Sequence, residues 1–240
     1  MNLTTLHPIR RVLPLASALL VAMSVAMPAA AQGPQGDVSD AQHLIYLPSR
    51  SAGVDHAAII QALGELGFTV NTLAYAGEPS VDYAMRAAGE IHTLLSQGVK
   101  PAAITVLGAG TGSPVAVLTS AVTGNRHVNY VLLGECDPLI KVDYRDFRMS
   151  GRVLGLRDAA DSGSGSCRPL WSDAPKVSGR RDVVLNTGLG AALFDQPRPE
   201  WLQPVAEWAG GGTVDVGRIR IGAVERPAPE AGDAATGAGD

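Results

Sequence analysis

The stretch ITVLGAGTGSPVAVL, Ile104 to Leu118, decides the fold. An unbroken apolar run of strand length enters a burst of glycines and leaves as a second apolar run rich in small residues, the pattern of a buried strand turning into a helix. Three chemistries use a glycine-rich turn at such a place. A dinucleotide fingerprint needs G-x-G-x-x-G, but here Gly108, Gly110 and Gly112 are followed by Ser113, and no acidic residue closes the next strand near Asn129 to Leu133. A phosphate loop needs Gly-Lys-Ser/Thr at its end, which is missing. No cofactor is therefore expected. The third is a nucleophile elbow, G-x-S-x-G, in which a sharp turn presents a serine hydroxyl. Gly108 and Gly112 hold its outer positions and Ala109 and Thr111 its inner ones, but the centre is Gly110.

Outward from the turn, the same alternation repeats. Upstream, HLIYLP reads as a strand and DHAAIIQALGELGF as a helix stopped at Gly67. TVNTLAY then reads as a strand, and SVDYAMRAAGEIHTLLSQG as a helix with Ser80 as its N-cap. Downstream, VNYVLLG, RVLGLRD and DVVLNTG read as strands, and a last helix spans about Pro199 to Ala209. Apolar strands separated by helices predict an α/β fold, a mostly parallel sheet with helices on both faces. Ligands of such sheets sit beyond the carboxyl ends of the strands. The windows of interest are Pro48-Ser49, Gly108 to Gly112, Gly134 to Pro138, Asp158 to Asp161 and Gly188 to Ala192.

Residues 1–31 place Arg10 and Arg11 before the apolar run Val12 to Met27 and end in Ala29-Ala30-Ala31, the layout of an export signal cleaved after Ala31. The apolar run falls short of the ~20 residues that span a bilayer. The expected organisation is a signal peptide at 1–31, one domain at 32–209, an extra strand region at 210–226 built on Val214 to Val224, and a disordered tail at 227–240. The product would be periplasmic or secreted. The net charge of −4 is spread without a basic stripe, which argues against nucleic acid or a membrane as partner. Cys136 and Cys167 are the only cysteines. An exported chain meets an oxidising compartment, so a disulfide is expected. The scattered histidines His43, His56, His92 and His127 show no metal-ligand spacing.

The run AITVLGAGTGSPVAVLTSAV followed by VNYVLLGEC resembles the elbow and next strand of small bacterial members of the α/β-hydrolase superfamily. The likeness extends through RVLGLRDAADSGSGSCRPL and VVLNTGLGAALFDQPRPEWLQPVAEWA, from about His43 to Ala209. The resemblance implies a serine, an acid and a histidine in that order along the chain. Gly110 stands in place of the serine. Asp161, or Asp158, falls where the acid belongs, and Asp161 is the better match because it lies farther past the strand end. Similar sequences read roughly Gly-Leu-Gly-His after the last strand, where this chain has Gly188-Leu189-Gly190-Ala191. The first strand of the superfamily commonly ends in His-Gly, whereas here Pro48-Ser49 follows Leu47, and Pro48 has no N–H to donate to an oxyanion.

What the resemblance implies is thus an inactive serine hydrolase whose cleft binds a small molecule or acyl ligand, with Pro48, Ser49, Thr111 and Ser113 beside it. The Thr111 amide is a candidate oxyanion donor, and the Ser113 hydroxyl is expected to cap helix N–H groups. Two alternatives stand beside this one. The first is an active hydrolase using other residues, among which Ser49, Ser51, Ser113, Asp137 and a cysteine nucleophile are candidates. The second is an interaction protein that pairs through the strand at Val214 to Val224.

Overall fold

The strand of residues 104–109 lies at the middle of a parallel sheet, as a run apolar on both faces requires. The structure, a computed structural model, describes residues 41–136 and 140–219. In chain order the elements are β1 (Gln42–Leu47), α1 (His56–Glu65), β2 (Phe68–Thr72), α2 (Ser80–Ser96), β3 (Ile104–Ala109) and α3 (Ser113–Thr123). There follow β4 (Asn129–Leu133), a single turn α4 (Ile140–Asp143), β5 (Ser150–Asp158), a single turn α5 (Arg168–Trp171), β6 (Lys176–Leu185) and α6 (Pro199–Ala209). The strand order is β2-β1-β3-β4-β5-β6, every pairing is parallel, and the α/β class expected from the sequence is the one observed.

Side-chain alternation along each strand divides the core between the two faces. On β1, Ile45 and Leu47 face α2 and α3 in one apolar cluster, while Leu44 and Tyr46 face α1 and α6 in the other. Helix α3 is sandwiched tightly enough that Val115, Ala116, Val117 and Leu118 are all buried, which explains the small residues after the glycine turn. Burying a Leu or Ile of this kind contributes about 1.5–3 kcal/mol. Helix α1 begins where Asp55 Oδ1 accepts from the Ala58 N–H at 3.0 Å, leaving its apolar residues Ile59 and Leu63 facing the sheet.

The order of connections sets the position of the site. From β1 the chain steps outward to β2 and then returns across β1 to form β3, after which every step runs the other way. The point of reversal lies between β1 and β3, and the crevice beyond their carboxyl ends is where this topology leaves space for a ligand. That crevice is bounded by Pro48-Ser49 on one side and Gly110 on the other.

Several local expectations are corrected. Ser80 is the first residue of α2 rather than its cap; Pro79 precedes it and no side chain caps that end. Strands β5 and β6 begin earlier than the apolar pattern suggested, at Ser150 and Lys176. Within the proposed strand Val214 to Val224, residues 216–218 form a 3-10 turn, because the Asp215 carboxylate and carbonyl accept from the Gly217 and Arg218 N–H groups and curl the chain. Residues 220–224 of that segment, the tail, the leader and Asp137 lie outside the described residues. Among the described residues no helix is long and apolar enough to cross a membrane.

Candidate functional site

Strand β3 ends at Ala109, and the backbone then swings through Gly110 at φ +47° and a 3-10 turn over Gly110–Gly112 directly into α3. The three glycines are needed for different reasons. A Cβ on Gly108 would stand 2.6 Å from the Gly112 carbonyl oxygen, and one on Gly112 would stand 2.2 Å from the Leu47 carbonyl oxygen. Both are backbone collisions, so the outer glycines are imposed by close packing of the turn against its own strand and against β1. At the centre the requirement is conformational, since φ +47° lies in the left-handed region. This is the strained strand-to-helix geometry of an elbow.

The space in front of Gly110 is occupied from across the crevice. A Cβ at residue 110 would meet Ser49 Oγ at 2.7 Å, so the hydroxyl from the loop after β1 stands where the elbow's own side chain would project. Ser49 Oγ accepts from the Ser51 N–H at 3.2 Å and donates to Ser51 Oγ at 3.1 Å. The loop is closed onto the elbow by Arg50, whose backbone N–H donates to Thr111 Oγ1 at 2.9 Å and whose guanidinium lies 4.7 Å from the centre of the Tyr75 ring. The Thr111 hydroxyl thereby holds the two sides of the crevice together.

Above the elbow is a cleft of about 280 Å³ built by loops at the carboxyl ends of five strands. Ser49 and Ser51 come from the loop after β1, Ala109, Gly110 and Thr111 from the end of β3 and its turn, and Gly134 and Glu135 follow β4. Asp161, Gly163 and Ser164 follow β5, and Ala191, Phe194 and Asp195 follow β6. Gly110, Asp161 and Ala191, far apart in the chain, thus line one cavity, and Ser49 and Thr111 join them. Pro48 lies instead against a separate small hollow with Arg50, Tyr75 and Tyr83. Ser113 is fully buried beneath the elbow, where its hydroxyl donates to the carbonyls of Gly108 at 2.9 Å and Leu133 at 3.1 Å rather than capping helix N–H groups.

The acid loop is held by a residue the sequence placed second. Asp158, fully buried at the end of β5, accepts from the Ala160 N–H at 2.9 Å and the Gly190 N–H at 3.2 Å through Oδ1. Through Oδ2 it accepts from the Thr187 N–H at 2.8 Å and the Thr187 hydroxyl at 2.7 Å. Burial works to raise its pKa, but the Thr187 hydroxyl and the backbone N–H groups of Ala160, Thr187 and Gly190 outweigh it, and the carboxyl titrates below its ordinary range. Asp158 therefore fastens the loop carrying Asp161 to the loop carrying Ala191. Asp161 is half-buried, and among the described residues its carboxylate accepts from the nearby Gly163 N–H, at 3.1 Å.

The third fastening is Cys136–Cys167, a disulfide with Cα atoms 4.9 Å apart that ties the loop after β4 to the loop after β5. It is buried against β5, where Gly155 leaves room for the Cys167 sulfur. Among the described residues no histidine lines the cleft. His56 is engaged at 3.0 Å by the Tyr46 hydroxyl, which burial keeps protonated, and His127 precedes β4 at the end of the sheet opposite the cleft. Ser164 and Asp195 escaped the sequence reading because they lie past the windows at the strand ends. The 3-10 turn Gly190–Phe194 carries Asp195 back over the cleft.

No protein-family model and no curated protein matches the chain. Solved structures similar to it include a thioesterase of the prodiginine biosynthetic pathway of Streptomyces coelicolor, at 14% identity and a TM-score of 0.48, covering 77% of this chain and 91% of that one. An esterase domain from a Rhodothermus marinus protein is similar at 18% identity and a TM-score of 0.45, covering 72% and 88%. An α/β hydrolase enzyme from a Medee basin deep-sea metagenome library is similar at 13% identity and a TM-score of 0.40, covering 72% and 85%.

Proposed function

We propose that this chain is an exported α/β-hydrolase-like protein that has lost acyl-enzyme catalysis and retains its cleft to bind a small molecule. The observation that carries the reading is the elbow itself. Its backbone path and its two packing glycines are present, yet its central position has no side chain and a hydroxyl from another loop fills the space. Ala191 contributes a methyl group where the resemblance calls for a base. Removing a triad serine or histidine costs orders of magnitude in rate. Export is supported by the leader's charge and hydropathy pattern, and a buried disulfide is compatible with it.

The test is hydrolysis of short and long acyl esters by the purified protein beside a Gly110→Ser, Ala191→His, Ser49→Gly variant, with fluorophosphonate labelling of both. The third substitution clears the space at residue 110. The wild type is expected to stay at background and unlabelled. One observation favours a second reading, a hydrolase that uses Ser49: its hydroxyl stands beside Gly110 inside the cleft. Wild-type turnover abolished by Ser49→Ala, with the label mapped to Ser49, would overturn the binding reading in favour of that one.

A further inference from the structure

A second cavity lies apart from the cleft, between α5 and the edge strand β6. It has a volume of about 410 Å³, in the size range of small-molecule sites, and is lined by Arg168, Trp171 and Ser172 from α5 and its end, and by Arg180, Arg181 and Asp182 from β6. None of these residues lines the cleft. Side chains alternate along a strand, so Arg180 and Asp182 share the face of the sheet on which Gly155 of β5 makes room for Cys167. The buried Trp171 gives the cavity an apolar wall.

Three of the six lining residues are arginines, whose guanidinium groups only donate hydrogen bonds. Among the described residues none of these three guanidiniums has an ion pair or a hydrogen bond. The carboxylate beside them is engaged elsewhere. Asp182 Oδ2 accepts from the Ser166 hydroxyl at 2.6 Å, and Oδ1 is turned toward β5, 3.4 Å from where a Cβ on Gly155 would stand. Asp173, next in the chain after Ser172, is held by Lys141 at 2.6 Å and Arg148 at 3.4 Å. Cations gathered around one concavity repel one another, and a concave wall of one sign concentrates counter-ions. The formal charge of the whole chain is −4, so this excess of cations is local to the cavity.

We propose that this cavity binds a phosphate group as its dianion, free or as the monoester of a small molecule. Three guanidiniums against one carboxylate leave an excess that a dianion neutralises, and the planar donor fork of arginine matches phosphate oxygens. Arg168 comes from α5 and Arg180 and Arg181 from β6, so the group is held between the α5 turn and the sheet edge. The site uses no residue of the elbow or the cleft, and it stands or falls apart from the loss of catalysis.

The test titrates glucose 6-phosphate, glucose 6-sulfate, glucose and inorganic phosphate into the purified protein by calorimetry in a low-salt, phosphate-free buffer. At about pH 7.5 a phosphate monoester, with its second pKa at about 6, is a dianion. Glucose 6-phosphate is expected to bind about fivefold more tightly than the singly charged sulfate ester, the gain from one partly exposed ion pair, and glucose not to bind. Tighter binding of glucose 6-phosphate than of inorganic phosphate assigns the site to an ester, and the reverse or equal binding assigns it to free phosphate. Arg168→Gln and Arg180→Gln should each weaken both phosphate probes about fivefold. Neither should lower the melting temperature, because neither guanidinium has a partner among the described residues to lose. Arg126→Gln, which removes an exposed arginine outside the cavity, should leave both affinities unchanged. Added salt should weaken binding in the wild type. No phosphate binding at millimolar concentration, equal affinity for the phosphate and sulfate esters, or an equal loss in Arg126→Gln would each overturn the proposal. A melting temperature lowered by Arg168→Gln or Arg180→Gln would also overturn it, by assigning those arginines to the fold.

Discussion

At the scale of single residues, the elbow separates two reasons for being glycine. Gly112 has no room for a Cβ because the Leu47 carbonyl is 2.2 Å from where it would stand, and backbone on both sides prevents relief. Gly110 has only the end of the Ser49 side chain before it, which can rotate away, so a substitution there meets chiefly the cost of φ +47°. Gly110→Ala is accordingly expected to lower stability by about 1–2 kcal/mol. Gly112→Ala should cost more than twice as much or fail to fold. Urea unfolding of the two variants checks this ordering, and equal midpoints would show that the turn can spread. The spacing of these glycines was legible in the sequence, but the intrusion of Ser49 was not. Residues 49 and 110 are brought together only by the pairing of β1 with β3, a long-range contact that no local pattern encodes.

At the scale of elements, the cleft is held by fastenings between loops rather than by the strands alone. Asp158 accepts four hydrogen bonds across two loops, and replacing it with Asn puts an N–H₂ where one carboxylate oxygen had only donors for neighbours. Asp158→Asn is expected to cost about 2–4 kcal/mol near neutral pH. The sign of its pH dependence follows from a folded-state pKa below the unfolded value of about 3.9. The stabilisation is fully present above the unfolded value and is lost as pH falls through the folded one. The stability gap between wild type and variant should therefore be constant down to about pH 5 and close below about pH 4. A gap independent of pH over that range would show that folding does not lower the Asp158 pKa, and a gap that widens as pH falls would show that the carboxyl is protonated in the fold. The sequence favoured Asp161 for the acid position because it lies farther past the strand. It could not show the role of Asp158, whose partners are mostly backbone N–H groups with no side-chain signature. The amino half of β6 escaped for another reason. As an edge strand its residues Lys176, Ser178, Arg180 and Arg181 are exposed, so it lacks the apolar run that marked β3 and β4.

At the scale of the whole molecule, the reversal of strand order between β1 and β3 opens the crevice, and the Cys136–Cys167 bridge fixes its far lip. Alternation of apolar strands and helices was enough to predict that sheet, because a parallel sheet buried on both faces writes its strands as unbroken apolar runs. The bridge joins two buried cysteines 31 residues apart and restricts the unfolded chain between them. On the chain-entropy model a loop of that length contributes about 3.5 kcal/mol. For a domain of this size such a loss lowers the melting temperature by roughly 10 °C. Because both sulfurs are buried, a reductant reaches them only through opening of the structure, so brief exposure of the folded protein should change little. The informative comparison is a Cys136→Ala, Cys167→Ala variant against the oxidised wild type in urea. The variant should unfold at lower urea with a larger dependence on denaturant, since its unfolded chain is less compact. An unchanged midpoint would show that packing around Gly155 and the loops supplies that stability without the covalent link.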